Sequence, residues 1–221
     1  TNGGTLPHEI EAMTAEIARH VPPGKLGIHA HNDGGLGVAN SLAAIRTGAT
    51  MVQGTINGYG ERCGNADMIP IIANLQLKMG KNCLSEEAMS HLTNLSNYVA
   101  DVANISPLNS RPFVGRSAFA HKGGVHVSAI LKNPLAYEHI APERVGNKQR
   151  VLVSDLAGKS NIEYKARELG IDLGQNNGLS RRIVDEIKRM EDEGYQFDAA
   201  EGSLSLLIKK ITGEFVEPFT L

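Results

Sequence analysis

Apolar and polar positions change their spacing in a regular order along the first 80 residues. The spacing predicts a helix over about 6–20, a strand over 25–31, a helix over 35–47, a strand over 49–56 and a helix over 66–79. The first strand opens on the short apolar run Lys25-Leu26-Gly27-Ile28. A turn at Val21-Pro22-Pro23-Gly24 precedes it, and Gly34-Gly35-Leu36-Gly37 breaks the chain after it. The helix that follows carries Ala39, Leu42, Ala43 and Ile45, small and apolar as close packing on a sheet requires. Strands alternating with helices of this length predict βα units on a parallel sheet. Thr5 is the expected cap of the first helix, with Pro7 in its first turn.

After Gly80 the pattern changes. Ser85 is expected to cap an amphipathic helix running to about Asn104, with Glu86 and Glu87 favouring its N-terminus. The prolines of residues 106–115 read as a linker or a wrapping arm. A helix near 122–132, a loop from Tyr137 to Gly146 and a strand over Arg150-Val151-Leu152-Val153 follow. Helices over about 159–169, 178–193 and 198–212 finish the chain, with no βαβ rhythm. Two parts are therefore expected: an α/β part over 1–80 and a mainly helical part over 81–221.

Composition excludes more than it identifies. A chain of 221 residues with 41% hydrophobic and 21% charged positions can bury a core as a soluble protein. A formal net charge of −2 without a sustained basic run argues against nucleic acid as the main partner. No apolar stretch reaches the roughly 20 residues that span a bilayer, and no signal-peptide pattern opens the chain. Cys63 and Cys83 make no disulfide framework, and a reducing cytoplasm fits. The opening Thr1-Asn2-Gly3-Gly4 has no initiator Met and reads as a turn whose strand is missing, so a fragment of a longer protein is expected.

Candidate chemistry gathers in three segments. His29 and His31 alternate on the first strand, so they share one face with Cα atoms roughly 6.5–7 Å apart. That spacing lets both rings converge on one ion, and imidazole suits zinc, iron, nickel and copper, with oxygen ligands widening the choice to manganese or magnesium. The pair sits at the C-terminal end of a strand, where parallel α/β folds and β/α barrels place their active-site residues. The second segment, Thr55 to Asn65, follows the next strand, so it lies at the same end of the sheet. Its glycines permit close backbone approach, while Asn65 either caps the following helix or offers an amide oxygen to a metal. Taken alone, a capped turn with a solvated Glu61–Arg62 pair explains the same residues. The third, Phe119 to Ser128, sets His121, Lys122 and His126 around Gly123-Gly124 and reads equally as a mobile catalytic segment or as a helix start with exposed histidines. Tyr137 and His139 could donate protons or pack, whereas His8, His20 and His91 read as surface or packing residues.

These residues resemble a family closely. His29-Ala-His31-Asn-Asp33-X-Gly35, followed by Asn57-Gly-Tyr-Gly-Glu-Arg-Cys-Gly-Asn65, resembles the paired signatures of the isopropylmalate, homocitrate and citramalate synthases. These are metal-dependent Claisen-condensing enzymes that share a TIM barrel with hydroxymethylglutaryl-CoA lyase. The resemblance continues through Gly115 to His126, Tyr137 to Gly146, Gly158-Lys-Ser-Asn161 and Gly194-Tyr-Gln-Phe197. The last stretches, with Gln53-Gly54-Thr55-Ile56-Asn57, look most like the bacterial citramalate synthase branch.

The resemblance implies the C-terminal part of a (β/α)8 TIM barrel over 1–80, comprising strands six to eight. It further implies mainly helical linker subdomains over 81–221 that reach the partner subunit of a homodimer. The implied reaction joins acetyl-CoA to a 2-oxo acid, pyruvate in the citramalate branch, within isoleucine biosynthesis. His29 and His31 would ligate a divalent ion (Mn, Zn, Mg or Co) with Asn65 in support, and Thr1 would bind the oxo acid's carboxylate. His126 and Tyr137, from the partner chain, would assist proton transfer at the acetyl methyl or thioester oxygen. His121 stands behind them, and Glu61 and Arg62 are expected to fix the loop. The family's strand-one aspartate ligand in an Arg-Asp-Gly motif, its strand-five carboxylate and its regulatory domain have no counterpart here. The chain by itself is therefore expected to be catalytically incompetent. Two rivals remain: a synthase for 2-oxoisovalerate or 2-oxoglutarate, and a non-catalytic dimerisation module.

Overall fold

Two three-residue strands, β1 (Gly27–His29) and β2 (Met51–Gln53), pair in parallel, with Gly27 opposite Met51, Ile28 opposite Val52 and His29 opposite Gln53. The chain crosses between them through α2 (Gly37–Arg46) and leaves β2 by a 3-10 turn at Ile56–Gly58 that leads to α3 (Met68–Leu77). This computed structural model describes residues 3–133, 136–153, 158–171, 173, 177–197 and 200–217. Alternation puts Ile28, Ala30 and Val52 on one face of the sheet. There Ala30 and Val52 pack with Leu42 and Ile45 around buried Ala66, Ile71 and Leu75. Gly27, His29, Met51 and Gln53 take the other face and are exposed. The βα units expected from the spacing are present, although the strands are shorter than the apolar runs. Beyond His29 the chain leaves the ladder, and His31 bridges Asn65 in the antiparallel sense instead.

Helix α1 (Pro7–Ala18) packs on α2. Pro7 takes its first position, but Thr5 does not cap it. Leu6 holds the N-cap, and its N–H donates to the Glu9 carboxylate at 2.8 Å. A negative charge in the first turn suits that end of a helix.

The helix expected over 85–104 is two: α4 (Glu86–Met89) and α5 (Leu92–Ala103). Ser85 caps the first as expected, its hydroxyl accepting from the Ala88 N–H at 3.1 Å. The break falls at Ser90–His91, where the backbone of Gly146 lies against the Ser90 carbonyl so closely that a Cβ would overlap it. Arg144 meanwhile donates to Glu86 at 2.8 Å. A contact made by residues some 55 positions downstream interrupts a locally sound helix. The expected arm at 106–115 folds back and is buried at Phe113, Val114 and Gly115. The Asn147 amide donates to the Phe113 and Gly115 carbonyls, 3.0 Å each.

Packing divides the chain into two compact units, Thr1–Ala118 with Pro142–Asn147, and Phe119–Ala141 with Lys148–Leu221. The chain passes from the first unit to the second near 118, and within the first α5 packs on the 3-10 turn at Ile56–Gly58. There the Asn57 amide donates to the Ser96 carbonyl at 2.8 Å.

In the second unit, β3 (Ala120–His121) pairs in parallel with β4 (Arg150–Val151). The second of these was expected from its apolar run; the first, two residues inside a histidine-rich stretch, carries no period to read. Helices α6 (Gly124–Lys132), α7 (Lys159–Glu168), α8 (Asn177–Asp192) and α9 (Glu201–Thr212) complete this unit. Its core includes Ile162, Ile183, Ile187, Leu204 and Ile208, each at most 1% exposed. Asn161, fully buried, ties α7 to the strands by donating to the carbonyls of Lys122 (2.8 Å) and Leu152 (3.0 Å).

Candidate active site

His29 closes β1 on its open face and His31 follows two residues on; their ring centroids lie 5.2 Å apart with planes at 74°. Asn65 stands opposite His31. Its backbone N–H donates to the Gly58 carbonyl (3.0 Å) and its side-chain amide to the Tyr59 carbonyl (3.2 Å). Those bonds fix which end of the side chain is left over. Among the described residues, the buried atoms without a partner at this site include Nδ1 of His31 and Oδ1 of Asn65, with Oδ1 of Asn40 beside the His31 cavity. A polar atom buried without a partner costs about 1–3 kcal/mol. Two on opposed residues, beside a second imidazole, make a place suited to a cation.

Of the two roles open to Asn65, capping is excluded by geometry. Asp67 caps α3, accepting from the Ile69 N–H at 3.0 Å, so the Asn65 oxygen is not used there. Two imidazoles supply borderline nitrogen donors and the amide a hard oxygen, a set that fits a divalent transition-metal ion such as manganese. Among the described residues, no group of three or more His, Cys, Asp or Glu side chains gathers to add a carboxylate. A divalent ion held here would draw its remaining ligands from elsewhere.

The surrounding loops are clamped. Arg62, at φ 57, donates to Asp33 through Nε (2.8 Å) and Nη2 (3.1 Å), joining the loop after β1 to the loop after β2. The guanidinium beside it holds the Asp33 carboxyl below the usual range. Arg62 thus fixes the loop as expected, whereas Glu61 is 80% exposed. Gly60 and Gly64 are required by close approach. A Cβ at the first would run into the Asn65 amide; the second, at φ +91, lies against the Gly58 carbonyl.

Sequence reasoning missed Arg111. It reaches back from the arm to donate to Asp67 (2.7 Å) and to the Asn57 carbonyl (2.8 Å), and its guanidinium lies 5.8 Å from the Tyr59 ring centre. Burial pushes the Asp67 carboxyl up, opposed by the Ile69 N–H and by Arg111. Nothing in the sequence marks a contact between residues 44 positions apart. Asn40 was also missed. It donates to the Thr5 carbonyl (2.8 Å) and, with Thr5, Ile28, His29 and His31, lines a cavity of about 140 Å³.

The second unit brings its own pair together. The His126 and Tyr137 rings lie 4.6 Å apart, both residues exposed, and His121 meets Glu138 at 3.2 Å. Thr1 lies outside the described residues. His8, His20 and His91 are exposed on or beside helices, as expected.

Residues 1–99 match the family model described as HMGL-like, and residues 113–195 match the one described as homocitrate synthase post-HMGL domain-like. The (R)-citramalate synthase of Synechocystis sp. is 52% identical over 97% of this chain and 40% of its own length. That of Aquifex aeolicus is 53% identical over 96% of this chain and 40% of its own length. The homocitrate synthase of Pyrococcus abyssi is 38% identical over 83% and 50%. The chain thus spans about two-fifths of the length of the citramalate synthases it matches. Its helix-rich α/β fold, with part of a TIM barrel in the first unit, is that of the HMGL-like enzymes. With both compact units matched, the chain belongs to the HMGL-like family, and the relatives it resembles here are citramalate and homocitrate synthases.

Proposed function

We propose that this chain serves a metal-dependent Claisen condensation in which acetyl-CoA, pyruvate and water give citramalate and free CoA. The observation that carries the reading is the buried pair of unpartnered atoms, His31 Nδ1 and Asn65 Oδ1, beside the His29 ring. The ring nitrogens of His29 and His31 and the amide oxygen of Asn65 would hold the ion. When bound, a divalent ion supplies Lewis acidity to the oxo acid's carbonyl oxygen. Asp33 and Arg62 keep the two ligand-bearing loops together. Thr1 holds the oxo acid's carboxylate. His126 and Tyr137 hold and move the proton at the acetyl methyl or the thioester oxygen, working on the site of a partner subunit in a homodimer. The higher identity to citramalate synthases than to the homocitrate enzyme favours pyruvate over longer oxo acids. A cytoplasmic setting in isoleucine biosynthesis fits the same reading. So does a division of labour in which residues 1–80 are barrel strands six to eight and 81–221 the linker subdomains.

The test is thiol release by the full-length enzyme, with and without chelator, offered pyruvate, 2-oxoisovalerate or 2-oxoglutarate. Chelation is expected to abolish release and added Mn to restore it, with pyruvate the preferred oxo acid. Activity indifferent to chelation removes the metal reading. Preference for a longer oxo acid moves the chain to another synthase. Light scattering of the eluting enzyme checks the dimer.

A further inference from the structure

Residues 137–140 dock against the segment 119–121 within the second unit. Tyr137 is 49% exposed, whereas its neighbour Glu138 is 4% exposed. The Glu138 carboxylate meets His121 Nε2 at 3.2 Å, the His121 side chain itself being 11% exposed. His139 stacks on Phe119, with centroids 6.1 Å and planes 13° apart, and Ile140 is buried. The Glu138 carboxyl and His121 Nε2 share one hydrogen bond, whichever of the two donates. A carboxyl so deeply buried is costly without a partner, and this bond therefore holds the His121 ring and the backbone at 138 together. The ring of Tyr137 comes to lie edge-on to His121, 6.4 Å between centroids, and 4.6 Å from His126.

We infer that Glu138 is a positioning residue: it clamps His121, and the clamp holds the Tyr137 phenol against His126. The inference rests on the proposed part of His126 and Tyr137 in proton transfer. Glu138 is too buried to meet a substrate, so its effect passes through the adjacent tyrosine. Misplacing a reacting group by about 1 Å costs on the order of 100-fold in rate. Loss of the clamp is thus read in kcat rather than in KM.

The experiment compares Glu138→Ala, Glu138→Gln, Tyr137→Phe and the double variant E138A/Y137F in the full-length enzyme. Glu138→Ala is expected to lower kcat about 10- to 100-fold, with KM for both substrates held within about twofold. Glu138→Gln, whose amide still hydrogen-bonds to His121, recovers most of that loss. On the Tyr137→Phe background, Glu138→Ala adds little. An alanine variant that keeps kcat within about twofold, or one whose loss repeats in full on the phenylalanine background, overturns the inference. Should Glu138→Ala not fold, His121→Ala removes the same contact from its other end and is read by the same outcomes. Failure of the underlying reading looks different, because Tyr137→Phe then keeps its kcat. In that event 3-fluorotyrosine at position 137 decides. Its fluorine resonance is expected to move in Glu138→Ala and to stay in Glu138→Gln; an unmoved resonance in the alanine variant overturns the clamp.

Discussion

Arg111 and Asp67 are each about 15% exposed, and the pair holds the glycine-rich loop to the arm that follows α5. Removing the cation leaves a largely buried carboxylate with only backbone donors, a change that costs up to about 3–5 kcal/mol at neutral pH. Burial already raises the Asp67 pKa, and Arg111 opposes that rise. A raised folded-state pKa means that stability is fully present below the unfolded value and is lost as pH rises through the folded one. Arg111→Met is therefore expected to lower the melting temperature more at pH 7 than at pH 4, and Asp67→Asn on that background to narrow the gap. Calorimetry at the two pH values checks it; an equal loss at both shows that the charge is immaterial. Gly60 is read by metal rather than by heat. Gly60→Ala pushes the Asn65 amide aside, so affinity for Mn is expected to fall about 10- to 100-fold while the fold survives. Isothermal titration with Mn measures it, and unchanged affinity removes Asn65 from the ligand set. His29 and His31 stand out as candidates because they close a readable strand, and Asn65 because it ends the glycine-rich loop after the next one. Arg111 and Asn40 were not, since neither spacing nor period encodes which distant loop a side chain will meet.

Elements show the same division. The β1–α2–β2–α3 run was legible because alternation and helical spacing are local properties that burial on one face enforces. The helix break at Ser90–His91 was illegible because Gly146 imposes it from outside the helix. β3 was illegible because two residues make no period. The arm was read as irregular, which it is, but its anchoring was hidden. Asn147 donates to both the buried Phe113 and Gly115 carbonyls, with Phe113 at φ 67. Asn147→Ala removes both bonds, although Gly115 keeps the Ala118 N–H at 3.0 Å, and is expected to cost about 1–3 kcal/mol. Urea unfolding of the full-length protein should show a lower midpoint at unchanged slope. In the second unit Ile187, fully buried on α8, is the comparable test of packing. Ile187→Ala is expected to cost about 2–5 kcal/mol by the lost contacts and the cavity left behind.

At the scale of the molecule, charge balance at the candidate site decides what the chain can do by itself. The donors that the first unit gathers, His29, His31 and the Asn65 amide, are all neutral. Asp33, two residues from His31, is already taken by Arg62. Three neutral donors leave the charge of a divalent ion uncompensated, and hard oxygen-seeking ions in particular favour carboxylates. The proton-handling candidates His126 and Tyr137 belong to the other compact unit. Among the described residues no cluster of acidic side chains joins these donors, so tight binding of a divalent ion here needs an acidic ligand from elsewhere. The 221-residue chain expressed by itself is expected to bind Mn weakly and to release no free CoA from acetyl-CoA and pyruvate. The full-length enzyme, by contrast, should gain about 2.7 kcal/mol of stability at Mn concentrations 100 times its Kd. His31→Ala in that enzyme should abolish the gain. A thiol-release assay run beside thermal melts separates the two cases, and full turnover by the isolated chain would show that the neutral donor set is sufficient.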